Sequence, residues 1–253
     1  MNFLTPSEPP IVKQVFSNSR LLVVCDHFSS RIPKYFKKLG LCKNDIESHI
    51  TKDIYIDSLA MEIVKLLNSN AIFAQYSRLI VDLNRSPEDD TIITKNSDGV
   101  KIVGNIGITV LEKNQRLEQF FYPYHQKIEN HLKRIKKMGK NPIILSLHSF
   151  VKKLNKEKAV KPWSIGTMWD SDNRLSDRFK NYCLKFNNIT FGDNLPYSGK
   201  DLADYTIDLH AEGKYPYLCL EIRQDIIATK QKRKFIVKLI VNFFTNIFKE
   251  RVI

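Results

Sequence analysis

Apolar residues run together in short unbroken blocks at three places in this chain, and each block stops on a residue able to bind or assist a metal. Leu21-Leu22-Val23-Val24-Cys25 runs into Asp26 and His27, Ile143-Ile144-Leu145-Ser146-Leu147 into His148, and Tyr217-Leu218-Cys219-Leu220 into Glu221. Short apolar runs of this kind suit strands buried on both faces. Helical spacing takes over elsewhere: Leu59, Ile63, Leu66 and Leu67 share one face, as do Phe235, Ile236, Leu239, Ile240, Phe243 and Ile247. Strands alternating with helices predict the α/β class, with a mixed sheet between two helical layers.

The same pattern places further elements. Strands are expected at 71–75, 79–83, 164–168, 189–191 and 217–222, and a short helix after Pro33. Longer helices are expected over about 44–68, 110–138 (where Pro123 would kink or split the helix) and 174–184, with a last one carrying the Phe235–Ile247 stripe. The stretch 86–107, with Pro87, Asp89, Asp90, Asn96, Asp98 and Gly99, reads as a long loop. The Lys-rich stretch 151–161 reads as an exposed excursion. With 253 residues, no linker and no repeat, one domain over 1–253 is expected.

Composition narrows the function classes. The apolar share of 43% and charged share of 26% are those of an ordinary globular protein. No apolar run approaches bilayer length. The start, Met1-Asn2-Phe3-Leu4-Thr5-Pro6, lacks the features of a secretory signal, so a cytoplasmic location and no membrane partner are expected. The formal charge of +13 would suit an anionic ligand. Its lysines and arginines are spread widely, and no nucleic-acid-binding signature accompanies them, so no nucleic-acid partner is expected. The four cysteines form no C-x-x-C pair, and Cys25 and Cys219 read as buried thiols. Phosphate-loop, dinucleotide, H-E-x-x-H and G-x-S-x-G motifs are absent.

In an open α/β sheet, ligands gather outside the carboxyl ends of the strands. Two imidazoles and a carboxylate brought to that edge would suit Zn²⁺. His27 and His148 are the leading ligands, and Asp53, Asp26 and Ser30 are the candidates for a third. Asp53 lies four residues after His49, on one face of the expected helix; Asp26 could instead orient an imidazole from behind. Glu221 and Arg223, two apart on a strand, share a face, as an ion pair or as parts of the site. Arg85, after Asn84 at a strand end, could grip a carboxylate or anchor its loop through Asp82 or Asp89. His131 reads as surface, and His125 as lining a pocket.

The blocks Cys25-Asp26-His27-Phe28-Ser29-Ser30-Arg31-Ile32-Pro33, His49-x-x-x-Asp53-Ile54, Tyr76-Ser77-Arg78-Leu79-Ile80-Val81-Asp82-Leu83-Asn84-Arg85, Leu147-His148-Ser149-Phe150, Asn194-Leu195-Pro196-Tyr197-Ser198 and Glu221-Ile222-Arg223-Gln224-Asp225 together resemble the N-formylglutamate amidohydrolase family. They come in that family's order, and Lys161-Pro162-Trp163-Ser164-Ile165-Gly166 looks like a further block. The resemblance implies a zinc-exopeptidase (phosphorylase/hydrolase)-like fold of the carboxypeptidase kind and a zinc-dependent amidohydrolase. His27 and His148 would be metal ligands and Glu221 the catalytic base. Asn84 and Arg85 would hold a substrate carboxylate, Arg78 or Arg223 would stabilise the oxyanion, and Tyr197, Ser198 and His210 would complete the pocket. Zinc peptidases of this kind carry His-x-x-Glu, whereas Ser30 stands three residues after His27 here; Asp53 is therefore the expected third ligand. Mn²⁺, Co²⁺ and Fe²⁺ would suit the same donors. The implied substrate is a small anionic N-acyl amino acid, N-formyl-L-glutamate foremost. A different N-acyl amino acid, a small acidic peptide, or a non-catalytic binding role on a degenerate hydrolase fold are the alternatives.

Overall fold

Strands without a polar face need cover on both sides, and the three apolar blocks lie in the middle of a seven-stranded sheet. The computed structural model describes residues 2–202 and 204–250. Its elements in chain order are β1 (Val12–Val15), β2 (Leu21–Cys25), α1 (Lys43–Ile46), α2 (Ile56–Leu67), β3 (Asn70–Ala74), β4 (Asn96–Ser97), β5 (Val100–Lys101), α3 (Val110–Arg116), α4 (Tyr122–Lys137), β6 (Ile143–Phe150), β7 (Ile165–Met168), α5 (Arg174–Cys183), β8 (Phe191–Gly192), α6 (Tyr205–His210), β9 (Tyr217–Arg223) and α7 (Lys230–Lys249). The sheet order is β1-β3-β2-β6-β9-β7-β8, and β4 and β5 form a separate hairpin. Strands β3, β2, β6 and β9 run parallel, while β1 and β7 pair antiparallel to β3 and β9.

Alternation along the strands divides the core into two layers. Leu21, Val23, Leu145, Leu147, Leu218 and Leu220 pack with α2, α5 and α7. Leu22, Val24, Ile144, Tyr217 and Cys219 pack with Phe120, Tyr124 and Ile128 on the opposite face. The sheet is therefore mixed, with helices on both faces, as the sequence pattern predicts. Continuing the period of two along this second face leads from Val24 to Asp26, from Ile144 through Ser146 to His148, and from Tyr217 through Cys219 to Glu221. One side of three adjacent parallel strands thus carries polar groups to their carboxyl ends.

Four expectations need correction. The helix expected over 44–68 is broken: α1 ends at Ile46, and α2 starts only at Ile56. The Thr51 hydroxyl donates to the carbonyls of Ile46 and Ser48, in place of a helical ladder, and the Asp53 amide donates to His27 O at 2.9 Å. His49 and Asp53 therefore share no helical face. The segment 79–83 is buried but is no strand. Its backbone acceptors Leu79 O and Ile80 O are satisfied by the side chains of Asn105 and Arg116, and Asp82 N–H by Ile92 O. Pro123 does not split its helical region; it falls in the first turn of α4, directly after a π turn at Leu117–Phe121 where the ladder is already disturbed. His131 is buried, not surface, and stacks on Phe16 with ring centroids 4.5 Å apart.

Arg116, fully buried, ties the segment after Ser77 to the loop before α3: it donates to Ile80 O at 3.0 Å, Asn105 Oδ1 at 2.8 Å and Glu112 Oε1 at 2.7 Å. Arg116→Met leaves two buried acceptors without that donor, at about 1–3 kcal/mol each, so a loss of about 2 kcal/mol or more is expected in urea unfolding. An unchanged unfolding midpoint would contradict this role.

Candidate metal-binding active site

The strand ends and one loop bring the chemistry together. His27 follows β2, His148 sits near the end of β6, and Glu221 is its register partner on β9. Asp53 comes from the broken segment before α2, and its backbone bond to His27 O fixes it against the sheet edge. Asp53 Oδ1 lies 3.7 Å from His27 Nδ1, and Asp53 Oδ2 lies 3.2 Å from His148 Nδ1. The three donors lie within 4.8 Å of one another. With Glu221, these side chains are only 4–7% exposed.

Each ligand candidate is held from a second side. His27 Nε2 lies 2.7 Å from Asp82 Oδ1, which leaves Nδ1 turned toward Asp53; this buried Nδ1 has no hydrogen-bond partner. Arg78 Nη2 donates to Asp53 Oδ1 at 2.7 Å, and Ser149 N–H to Asp53 Oδ2 at 3.1 Å. His148 Nε2 lies 3.0 Å from Ser146 Oγ. An orphaned imidazole nitrogen facing a carboxylate and a second imidazole, with the far nitrogen of each ring engaged, fits a divalent cation of the zinc type.

The charges are strongly coupled. Burial would raise the Asp53 carboxyl, but Arg78, His27 and the His148 hydrogen bond hold it well below the usual carboxylate range. Burial would lower the His148 imidazole, yet its bond with Asp53 and the charges of Glu221, Asp53 and Asp204 push it up to about 10. Burial pushes the Glu221 carboxyl up to about 7; Asp53 and Asp204 add to the rise, while His148 and Arg78 oppose it. A carboxyl so placed can take a proton and give it back near neutral pH. A cation entering the donor set would displace protons from the imidazoles.

The other candidate residues divide. Arg78 lies at the cluster, with its buried Nε lacking a partner. Tyr197 packs edge-on against Phe150 at 6.3 Å, and burial and the Glu221 charge raise its phenol. Arg85 is half-exposed and pairs with Asp82 and Asp89 at 3.4 Å, the loop-anchoring arrangement. Asn84 Oδ1 accepts from Thr206 N–H at 2.9 Å and so holds the start of α6. Ser198 turns into its own loop, accepting from Lys200 N–H. His210 is not brought to the cluster; it lies 3.1 Å from His125 in a cleft of about 1330 Å³ beside α4, which confirms His125 as lining a pocket. Arg223 makes no ion pair with Glu221 but grips Asp225 and the carbonyls of Lys161, Pro162 and Trp163, which ties down the end of the 151–161 excursion. Asp26 lies behind His148, with Oδ2 3.6 Å from its Nε2.

Two contributors went unread in the sequence. Asp82, which its place in the chain pairs only with Arg85, orients His27. Asp204, 3.9 Å from His148 Nε2, had one legible signal, its position as the N-cap of α6, where it accepts from Ile207 N–H. Nothing in the chain order shows that its other oxygen would meet Cys219.

The family model described as N-formylglutamate amidohydrolase matches residues 19–228. The crystal structure of gene product Atu2144 from Agrobacterium tumefaciens is similar, with 25% identity, a TM-score of 0.89 and coverage of 97% of this chain and 99% of that one. An N-formylglutamate amidohydrolase from Ralstonia eutropha JMP134 shares the fold at 15% identity and a TM-score of 0.66, over 95% of this chain and 99% of that one. No curated protein matches the chain.

Zinc-loaded, desalted protein is expected to retain the metal, and Asp53→Ala to lose it, as read by elemental analysis. Equal zinc in the variant would remove Asp53 from the ligand set.

Proposed function

The chain belongs to the N-formylglutamate amidohydrolase family, and on that premise we propose that it hydrolyses the amide bond of a small anionic N-acyl amino acid. N-formyl-L-glutamate, giving L-glutamate and formate, is the first candidate. The observation that carries this reading is the buried His27–Asp53–His148 donor set with Glu221 in register beside His148. His27, His148 and Asp53 would hold Zn²⁺, which supplies Lewis acidity toward a carbonyl and makes water a better nucleophile.

The chain's own residues account for the rest. Glu221 takes a proton from the attacking water as the oxygen adds to the acyl carbon. It returns that proton to the nitrogen as the C–N bond breaks, which releases the amine and the carboxylate. Arg78, anchored by Asp53 through Nη2 and about a quarter exposed, sets its guanidinium charge beside Asp53, where it can stabilise negative charge on the substrate. Tyr197 stands close enough to Glu221 to feel its charge. Arg85 stands half-exposed at the edge, where it can exchange Asp89 for a substrate carboxylate. Among the described residues no helix is long and apolar enough to cross a membrane. The four free cysteines accord with a cytoplasmic setting for the reaction.

The positions given to the substrate carboxylate by resemblance, Asn84 and Arg85, are engaged with Thr206, Asp82 and Asp89. That observation favours a second reading, in which the same chemistry acts on another N-acyl amino acid.

Formate release from N-formyl-L-glutamate should vanish on chelation and return with zinc. Glu221→Gln should lower kcat about 10²–10⁴-fold while zinc is retained. Turnover at the wild-type rate in that variant would exclude Glu221. Zinc-loaded protein inert toward the formyl substrate but active on another acyl amino acid would select the second reading.

A further inference from the structure

Behind His148 lies a buried polar layer that the proposed reaction does not use directly. Asp26 is fully buried. Its Oδ1 accepts from the Tyr124 hydroxyl at 2.5 Å and the Thr206 hydroxyl at 3.0 Å. Its Oδ2 has no partner and points at His148 Nε2 from 3.6 Å. Asp204 Oδ2 is 3.9 Å from the same nitrogen but already accepts from the Cys219 thiol at 3.0 Å. Ser146 Oγ lies 3.0 Å away.

An imidazole that gives Nδ1 to a cation must carry its remaining proton on Nε2. For His148 that N–H then faces one hydroxyl and two carboxylates, and only Asp26 offers a free buried carboxylate oxygen. A buried carboxylate oxygen without a donor is costly, so both groups gain when they meet. We propose that Asp26 is the positioning residue for His148: in the metal-loaded protein it accepts the Nε2–H of His148 and fixes that ring, as Asp82 fixes His27. This crosses the sheet, because Asp26 adjoins His27 in the chain but serves the histidine of β6. The inference rests on the metal-binding reading of the site.

Asp26→Asn tests it with little change of shape. With its oxygen toward the Tyr124 and Thr206 hydroxyls the amide sets its NH₂ against His148 Nε2–H, donor against donor; turned the other way it offers that N–H a neutral oxygen in place of a charged one. Zinc affinity, measured by competition with a chromophoric chelator, should fall about 10–100-fold, with the thermal midpoint of the metal-free protein kept as a control for folding. Ser146→Ala removes a neutral acceptor and should lower zinc affinity by less than about tenfold, below the range expected for Asp26, a measurement that stands even if Asp26→Asn fails to fold. Wild-type affinity in a folded Asp26→Asn protein would overturn the inference, as would a large loss in Ser146→Ala, which would make the hydroxyl the acceptor. Failure of the wild-type protein to bind zinc would overturn the functional reading and this inference together.

Discussion

The site depends on one buried carboxylate. Asp53 stands between His27 and His148, accepts from Arg78 and from the Ser149 amide, and donates its own backbone N–H to His27 O. Taking a carboxylate out of water is expensive unless it is paired and fully bonded. Here the cationic side of the balance is Arg78 and the two imidazoles, and a divalent cation would strengthen it. The chain between α1 and α2 gives up helical structure. Within 47–55 the Thr51 hydroxyl takes the Ile46 and Ser48 carbonyls, and the break so held sets Asp53 between the two imidazoles.

The same requirement explains what could be read from the sequence. The strands leading to Asp26-His27, His148 and Glu221 are legible because parallel strands covered on both faces leave apolar runs, and because the period of two carries Asp26, His148 and Glu221 to one side. Asp53 could be named as a ligand, but its setting could not: a helix over 44–68 agrees with the apolar spacing from Leu59 onward and gives no warning of the break. The segment 79–83 misled for a related reason. Its apolar residues are buried, but Arg116 and Asn105, far along the chain, supply the bonds that a neighbouring strand would have supplied. The roles of Asp82 and Asp204 depend on such long-range meetings as well. His210 and Arg223 show the converse: residue type and chain position suggest the site, while their partners, His125 for one and Asp225 with the Lys161–Trp163 carbonyls for the other, lie elsewhere.

The arrangement also separates two tasks. The imidazole Nδ1 atoms and Asp53 face one another and would bind a cation, while Asp82, Ser146, Asp26 and Asp204 stand behind the rings. Support of this kind sets ring orientation and ligand basicity, and it is as much part of a metal site as the ligands are. Beside the cluster stand the partly exposed guanidinium of Arg78, the Tyr197 ring and the half-exposed guanidinium of Arg85, the groups a substrate would meet. A strongly basic chain around such a pocket favours an anionic substrate on approach.

The most direct test of the central claim is anomalous diffraction at the zinc edge from crystals of zinc-loaded protein. The account predicts a peak about 2.0–2.2 Å from His27 Nδ1, His148 Nδ1 and an oxygen of Asp53. A peak at another pair of side chains, such as His125 and His210 or His49 and Asp98, with none between the two strand-end histidines, would contradict it.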